Sequence, residues 1–150
     1  MREDVIGVVV TLAVIAAIVP LIVVQGAFRL QELHEAWRKL AYRHGLHFDP
    51  GPRLVLKATV SGSINGRTFL LQRAGGNNNK APVYMELGLR HEPGADVSRM
   101  RLLAEEQLTE IGGEVDGKKL KVMVGATDDL EHLDKVLRTL VAVAPVLEAA

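Results

Sequence analysis

The chain has 150 residues, equal numbers of basic and acidic side chains, and no cysteine. A formal charge of zero argues against bulk attraction to nucleic acid or to an acidic surface. The missing thiols exclude disulfide staples, zinc-thiolate centres, iron–sulfur clusters and thiol nucleophiles.

The first long element is Val5 to Val24, a run without charge whose single polar side chain is Thr11. Twenty helical residues span about 30 Å, the thickness of a bilayer's hydrocarbon core. A soluble helix of five turns needs a polar face, and this run has none. A cleavable signal needs a basic start, a shorter apolar core and a small-x-small exit site. Here the run opens behind Arg2, Glu3 and Asp4, and the exit at Gln25-Gly26-Ala27 begins with a large polar residue. The pattern predicts an uncleaved, single-pass anchor over residues 1–27. Arg29, Arg38, Lys39 and Arg43 follow the span, against Arg2 before it. The excess of positive charge predicts that the domain after the anchor is cytoplasmic. Ala13 and Ala17 form a weak small-xxx-small pair, and Pro20 predicts a kink in the last turn.

Residues 28–150 then read as one soluble domain. Phe28 to His44 carries Leu30, Leu33, Trp37, Leu40 and His44 at spacings of three and four, a helix with one apolar stripe. Asp49-Pro50-Gly51-Pro52 is a turn. A hairpin follows, folded about Asn65-Gly66, whose type I′ turn needs φ > 0 at both residues. That register pairs Val60 with Leu71, Gly62 with Phe69 and Ala58 with Arg73. It puts Leu54, Leu56, Val60, Phe69 and Leu71 on a dry face, and Lys57, Thr59, Ser61, Ser63, Thr68 and Gln72 on a wet one. Gly75 to Lys80 lacks the spacing of a phosphate-binding loop and reads as a mobile hairpin connection.

A third strand alternates Val83, Met85, Leu87 and Leu89 with polar positions. Asp96 or Ser98 caps the next helix, with Val97, Met100, Ala104, Leu108 and Ile111 predicted to be buried. Gly112-Gly113 stops it, and a short hairpin about Asp116-Gly117 follows. The last helix opens at Thr127-Asp128-Asp129 and buries Leu130, Leu133, Leu137, Leu140, Ala144 and Leu147 until Pro145 kinks or ends it. The expected class is α+β: an N-terminal transmembrane helix, then a five-stranded, mainly antiparallel sheet covered by about three helices, in the order α-βββ-α-ββ-α. That element order over residues 28–150 resembles the type III secretion chaperone-like fold. The resemblance implies helices on one face of an antiparallel sheet and a tendency to bind protein segments, and it carries no functional residue across.

No set of nucleophile, base and orienting group stands out. His34, His44 and His47 offer one conceivable metal set, and Asp128, Asp129 and Asp134 another, without the spacing of a known motif. Six aromatic residues, none on the wet hairpin face, give single-stranded nucleic acid nothing to stack on. The sequence therefore predicts a non-enzymatic, cofactor-free module, tethered to the bilayer through Val5 to Val24. It would bind protein as an accessory subunit of a membrane assembly or as a homo-oligomer. Its expected partner surface is Lys57, Thr59, Thr68, Gln72, Asn77, Asn78 and Lys80. Two alternatives stand beside it: a small-ligand site or enzyme built on groups such as Arg73, Tyr84 and Arg90, and a membrane-surface sensor using Arg29, Arg38, Lys39 and Arg43 on anionic lipid.

Overall fold

A computed structural model describes residues 2–51, 57–73, 82–94, 98–125 and 127–148, apart from the side chains of residues 26, 27 and 29. In chain order the elements are α1 (Arg2–His44), β1 (His47–Asp49), β2 (Thr59–Ile64), β3 (Arg67–Arg73), β4 (Val83–Gly88), α2 (Arg99–Glu110), β5 (Gly113–Asp116), β6 (Lys119–Met123) and α3 (Leu130–Glu148). The chain divides into two units, residues 1–32 and 33–150.

The first unit is helix. Every large apolar side chain from Val5 to Val24 is exposed. The Thr11 hydroxyl donates to the Gly7 carbonyl at 2.8 Å, so the one polar side chain of the run is satisfied within its own helix. The helix is long and apolar enough to cross a membrane. It does not stop at Pro20, because loss of one backbone donor leaves the neighbouring turns bonded.

In the second unit, the turn chemistry of Asn65 and Gly66 sets the sheet. Both take positive φ, 51° and 76°, which matches the right-handed twist of the flanking strands. The register follows as predicted, Val60 opposite Leu71 and Gly62 opposite Phe69. The pairing runs from Val60–Leu71 to Ile64–Arg67; Ala58 precedes β2, and residues 54–56 of the expected arm lie outside the described residues. From the hairpin the sheet grows to six strands in the order β1-β2-β3-β4-β6-β5, every neighbouring pair antiparallel. Six strands replace the expected five. The extra one is β1, where His47, Phe48 and Asp49 pair with Ser61, Val60 and Thr59.

Alternation then sorts the side chains. Val60, Phe69, Leu71, Val83, Met85, Leu87, Leu120 and Val122 are buried on one face. The helices complete that core with Leu33, Trp37 and Leu40 of α1, Ala104 and Leu108 of α2, and Leu133, Leu137, Leu140 and Leu147 of α3. Each such large side chain contributes about 1.5–3 kcal/mol by leaving water. Trp37 is fully buried, and its indole N–H donates to the Thr127 carbonyl at 3.3 Å.

One helical expectation is narrowed and another corrected. Pro145 does not end α3, which continues to Glu148. Val143, Ala144 and Leu147 remain buried around the proline, and their packing outweighs the lost backbone bond. Met100 is 68% exposed rather than buried. It lies in the first turn of α2, and only Ala104 and Leu108 of the predicted stripe are buried in that helix; Val97 lies outside the described residues.

Candidate functional site

The face of the sheet away from the core is built by the same alternation. Thr59 of β2 and Gln72 of β3 are half-buried there, and Thr68 is exposed. Lys57, also exposed, precedes β2. Asn77, Asn78 and Lys80 lie outside the described residues. The register places Gln72 opposite Tyr84, Leu70 opposite Glu86, and Tyr84 opposite Met123. The Lys121 ammonium stands 4.1 Å from the centre of the Tyr84 ring. Glu86 lies between Lys119 at 3.5 Å and Lys121 at 4.0 Å. Met123 is 62% exposed. This face therefore mixes an exposed thioether, an aromatic ring and a small charge network. Tyr84, Glu86, Lys119 and Lys121 are its main features, and none of them belongs to the partner surface expected from sequence. The signal was present: even-numbered residues of β4 and odd-numbered residues of β6 must share one face once the two strands pair.

At Gly88 the face is closely packed. A Cβ there would stand 2.9 Å from the Thr68 hydroxyl oxygen, so glycine lets β3 and β4 keep Thr68 in place.

Three of the four candidate lipid-contacting residues have partners within the domain. Arg38 lies over the Phe48 ring at 5.5 Å. Lys39 pairs with Glu35 at 3.3 Å, and Arg43 with Glu131 at 3.4 Å. The side chain of Arg29 is outside the described residues.

The histidines separate. His34 stacks edge-on against Phe48, ring centres 5.9 Å apart. Its Nε2 is buried with no hydrogen-bond partner among the described residues. Burial first, and the Arg38 charge second, hold its pKa below the ordinary 6.5. His44 instead meets the nearly buried carboxylate of Asp134 at 2.7 Å, with Arg138 on the other oxygen at 2.9 Å. His47 is exposed on β1. Among the described residues no three His, Asp or Glu side chains group as a metal ion would require. Asp129 caps α3, its carboxylate accepting from the His132 N–H at 3.2 Å.

Arg73, Tyr84 and Arg90 also diverge. Arg73 lies opposite Val83 on the core side of the sheet, and Tyr84 lies on the other side. Arg90 follows β4 and donates to the Asn65 carbonyl. A groove of about 360 Å³ runs between α2 and α3 past Gln107, Glu110, Lys135 and Arg138. It is partly open to solvent, whereas small-ligand sites cover most of the ligand's surface.

One buried ion pair closes the core. Arg67 Nε and Nη2 donate to the two oxygens of Glu148, each at 3.0 Å, with both side chains 8% exposed. The Arg90 backbone N–H adds a third bond at 3.0 Å. Burial alone raises the Glu148 pKa. The Arg67 hydrogen bonds, the Arg90 N–H and the Arg67 and His91 charges pull it down by more, so the net displacement is below the ordinary 4.5.

No family model, no curated protein and no solved structure matches the chain.

Proposed function

We propose that this protein is a membrane-tethered protein-binding module. Residues 5–24 hold it in a bilayer, and residues 33–150 present a docking surface to protein on the cytoplasmic side. The observation that carries the proposal is the helix from Val5 to Val24. All of its large apolar side chains are exposed, and its one hydroxyl is bonded internally. In water such a surface is an aggregation liability, whereas hydrocarbon solvates it. Protein binding is favoured over small-ligand chemistry because the polar groups weighed for a pocket diverge across two faces of the sheet. It is favoured over lipid-headgroup sensing because Arg38, Lys39 and Arg43 already have intramolecular partners. The cytoplasmic side follows from the excess of Lys and Arg after the span.

The test is alkaline carbonate extraction of membranes expressing the full chain, with protease protection of a tag placed after residue 150. The expected result is a chain that stays in the pellet, retains its first residues on N-terminal sequencing, and has a tag cut only when the cytoplasmic face is opened. Release into the supernatant, or processing near residue 27, would overturn the tether.

A further inference from the structure

The outward face of α2 is unlike that of an ordinary solvated helix. Its inward side is Ala104 and Leu108, with Arg101 and Glu105 paired along the helix at 3.1 Å. At 3.6 residues per turn, Arg99, Leu103 and Glu106 form one outward stripe, with Leu102 beside it. Leu102 and Leu103 are 53% and 50% exposed, and Met100 is 68% exposed. Arg99 and Glu106 are exposed as well. From its N-terminus the stripe therefore reads basic, apolar, acidic. Ser98 fixes where it starts, its hydroxyl accepting from the Arg101 N–H at 3.1 Å.

We propose that α2 is the contact through which two copies of this chain pair, antiparallel, about a two-fold axis crossing the helix between Leu102 and Leu103. The order of the stripe is what selects a second copy. An axis at that point sets Leu102 against Leu103 of the other copy, and Arg99 against the other copy's Glu106, with both contacts repeated by symmetry. A parallel pairing would set Arg99 on Arg99 and Glu106 on Glu106. The charge order thus fixes direction as well as partner. Two three-turn helices bury less than the roughly 1,200–2,000 Å² of a stable soluble interface, so the contact needs both copies held together. The pairing rests on the membrane-tethered reading, since confinement to one bilayer raises the effective concentration of the two domains.

The full chain has no cysteine, so a single introduced thiol reports on one contact. The chain carrying Leu103→Cys, reconstituted in phosphatidylcholine vesicles and oxidised with copper phenanthroline, is expected to give a disulfide dimer. The chain carrying Thr68→Cys, on the outer sheet face, is expected to remain a monomer. Adding Arg99→Glu to Leu103→Cys should slow cross-linking by at least about tenfold, and adding Glu106→Arg as well should restore it. Absence of a disulfide dimer in the Leu103→Cys chain, an equal dimer in the Thr68→Cys chain, or indifference to Arg99→Glu would each overturn the pairing. So would cross-linking of the Leu103→Cys chain, in native membranes, solely to a different polypeptide. Flotation of the same vesicles reads the tether separately: a chain that floats but does not cross-link overturns the α2 contact alone, and a chain that fails to float overturns the membrane reading.

Discussion

Residues 5–24 and residues 33–44 belong to the same helix, and both are rich in apolar side chains. In the first stretch every large one is exposed; in the second, Leu33, Ala36, Trp37, Leu40 and Ala41 are buried and the residues between them are not. Hydrophobicity alone does not separate the two. Periodicity does: apolar residues on all sides suit a solvent of hydrocarbon, while apolar residues at spacings of three and four suit one protein surface. The difference also divides the consequences of substitution, since damage to one stretch should be silent in the other.

The largest effect is expected at Trp37. Trp37→Ala removes a fully buried indole and should lower the unfolding free energy of residues 33–150 by about 3–5 kcal/mol, read from a denaturant melt of the detergent-solubilised chain. Membrane retention should not change. Next comes the reciprocal change. Val14→Lys, at the middle of the span, should disfavour insertion by about 2.5–3.5 kcal/mol. A glycosylation-tagged insertion assay measures that loss, and the tryptophan fluorescence melt should be unmoved. If the melt shifts, the two stretches are coupled and the comparison fails.

Acid should sharpen the picture inside the domain. His34 and Glu148 both have pKa values below their ordinary ones, so the unfolded chain binds more protons than the folded chain in each window. For each group stability is fully present above the unfolded pKa and is lost as pH falls through the folded one. A first loss is expected below the ordinary histidine value of 6.5, and a second below the ordinary carboxylate value of 4.5. His34→Gln should flatten the upper part of a stability–pH curve and Glu148→Gln the lower part. A curve that keeps both losses in both variants would show that these groups do not cause them. The smallest effect is expected at Lys39→Ala. Its pair with Glu35 is 60% exposed on each side, and removing it should change the melt by about 0.3–0.5 kcal/mol.

What the sequence reveals follows the range of its signals. The Asn65-Gly66 turn has a local stereochemical cause, so the hairpin register could be read residue by residue. The stripe from Leu130 to Leu147 was legible for the same reason, except at Pro145, where propensity competes with a buried neighbourhood. β1 was missed because three residues, His47, Phe48 and Asp49, are too short to show a period. Met100 was misplaced because the first turn of a helix fits the spacing rule whether or not anything covers it. The pairs His44–Asp134 and Arg67–Glu148 join residues 90 and 81 positions apart. No local pattern announces such pairs; only the completed fold brings them together. The outer surfaces were legible in part: alternation picked out Thr59, Thr68 and Gln72, while Tyr84, Glu86 and Lys121 needed the pairing of β4 with β6.

The bond between Arg67 and Glu148 also bears on the order of events during synthesis. The β2–β3 hairpin is made early and can close on its own turn, yet the carboxylate its guanidinium needs is made 81 residues later. Until then Arg67 must stay hydrated, which keeps that edge of the nascent sheet wet and delays its burial. Closure of the core at Arg67 should therefore wait for the last turn of α3, which carries Glu148. A chain released after residue 147 should hold a β2–β3 hairpin that is paired while the Arg67 end of the core stays open to protease.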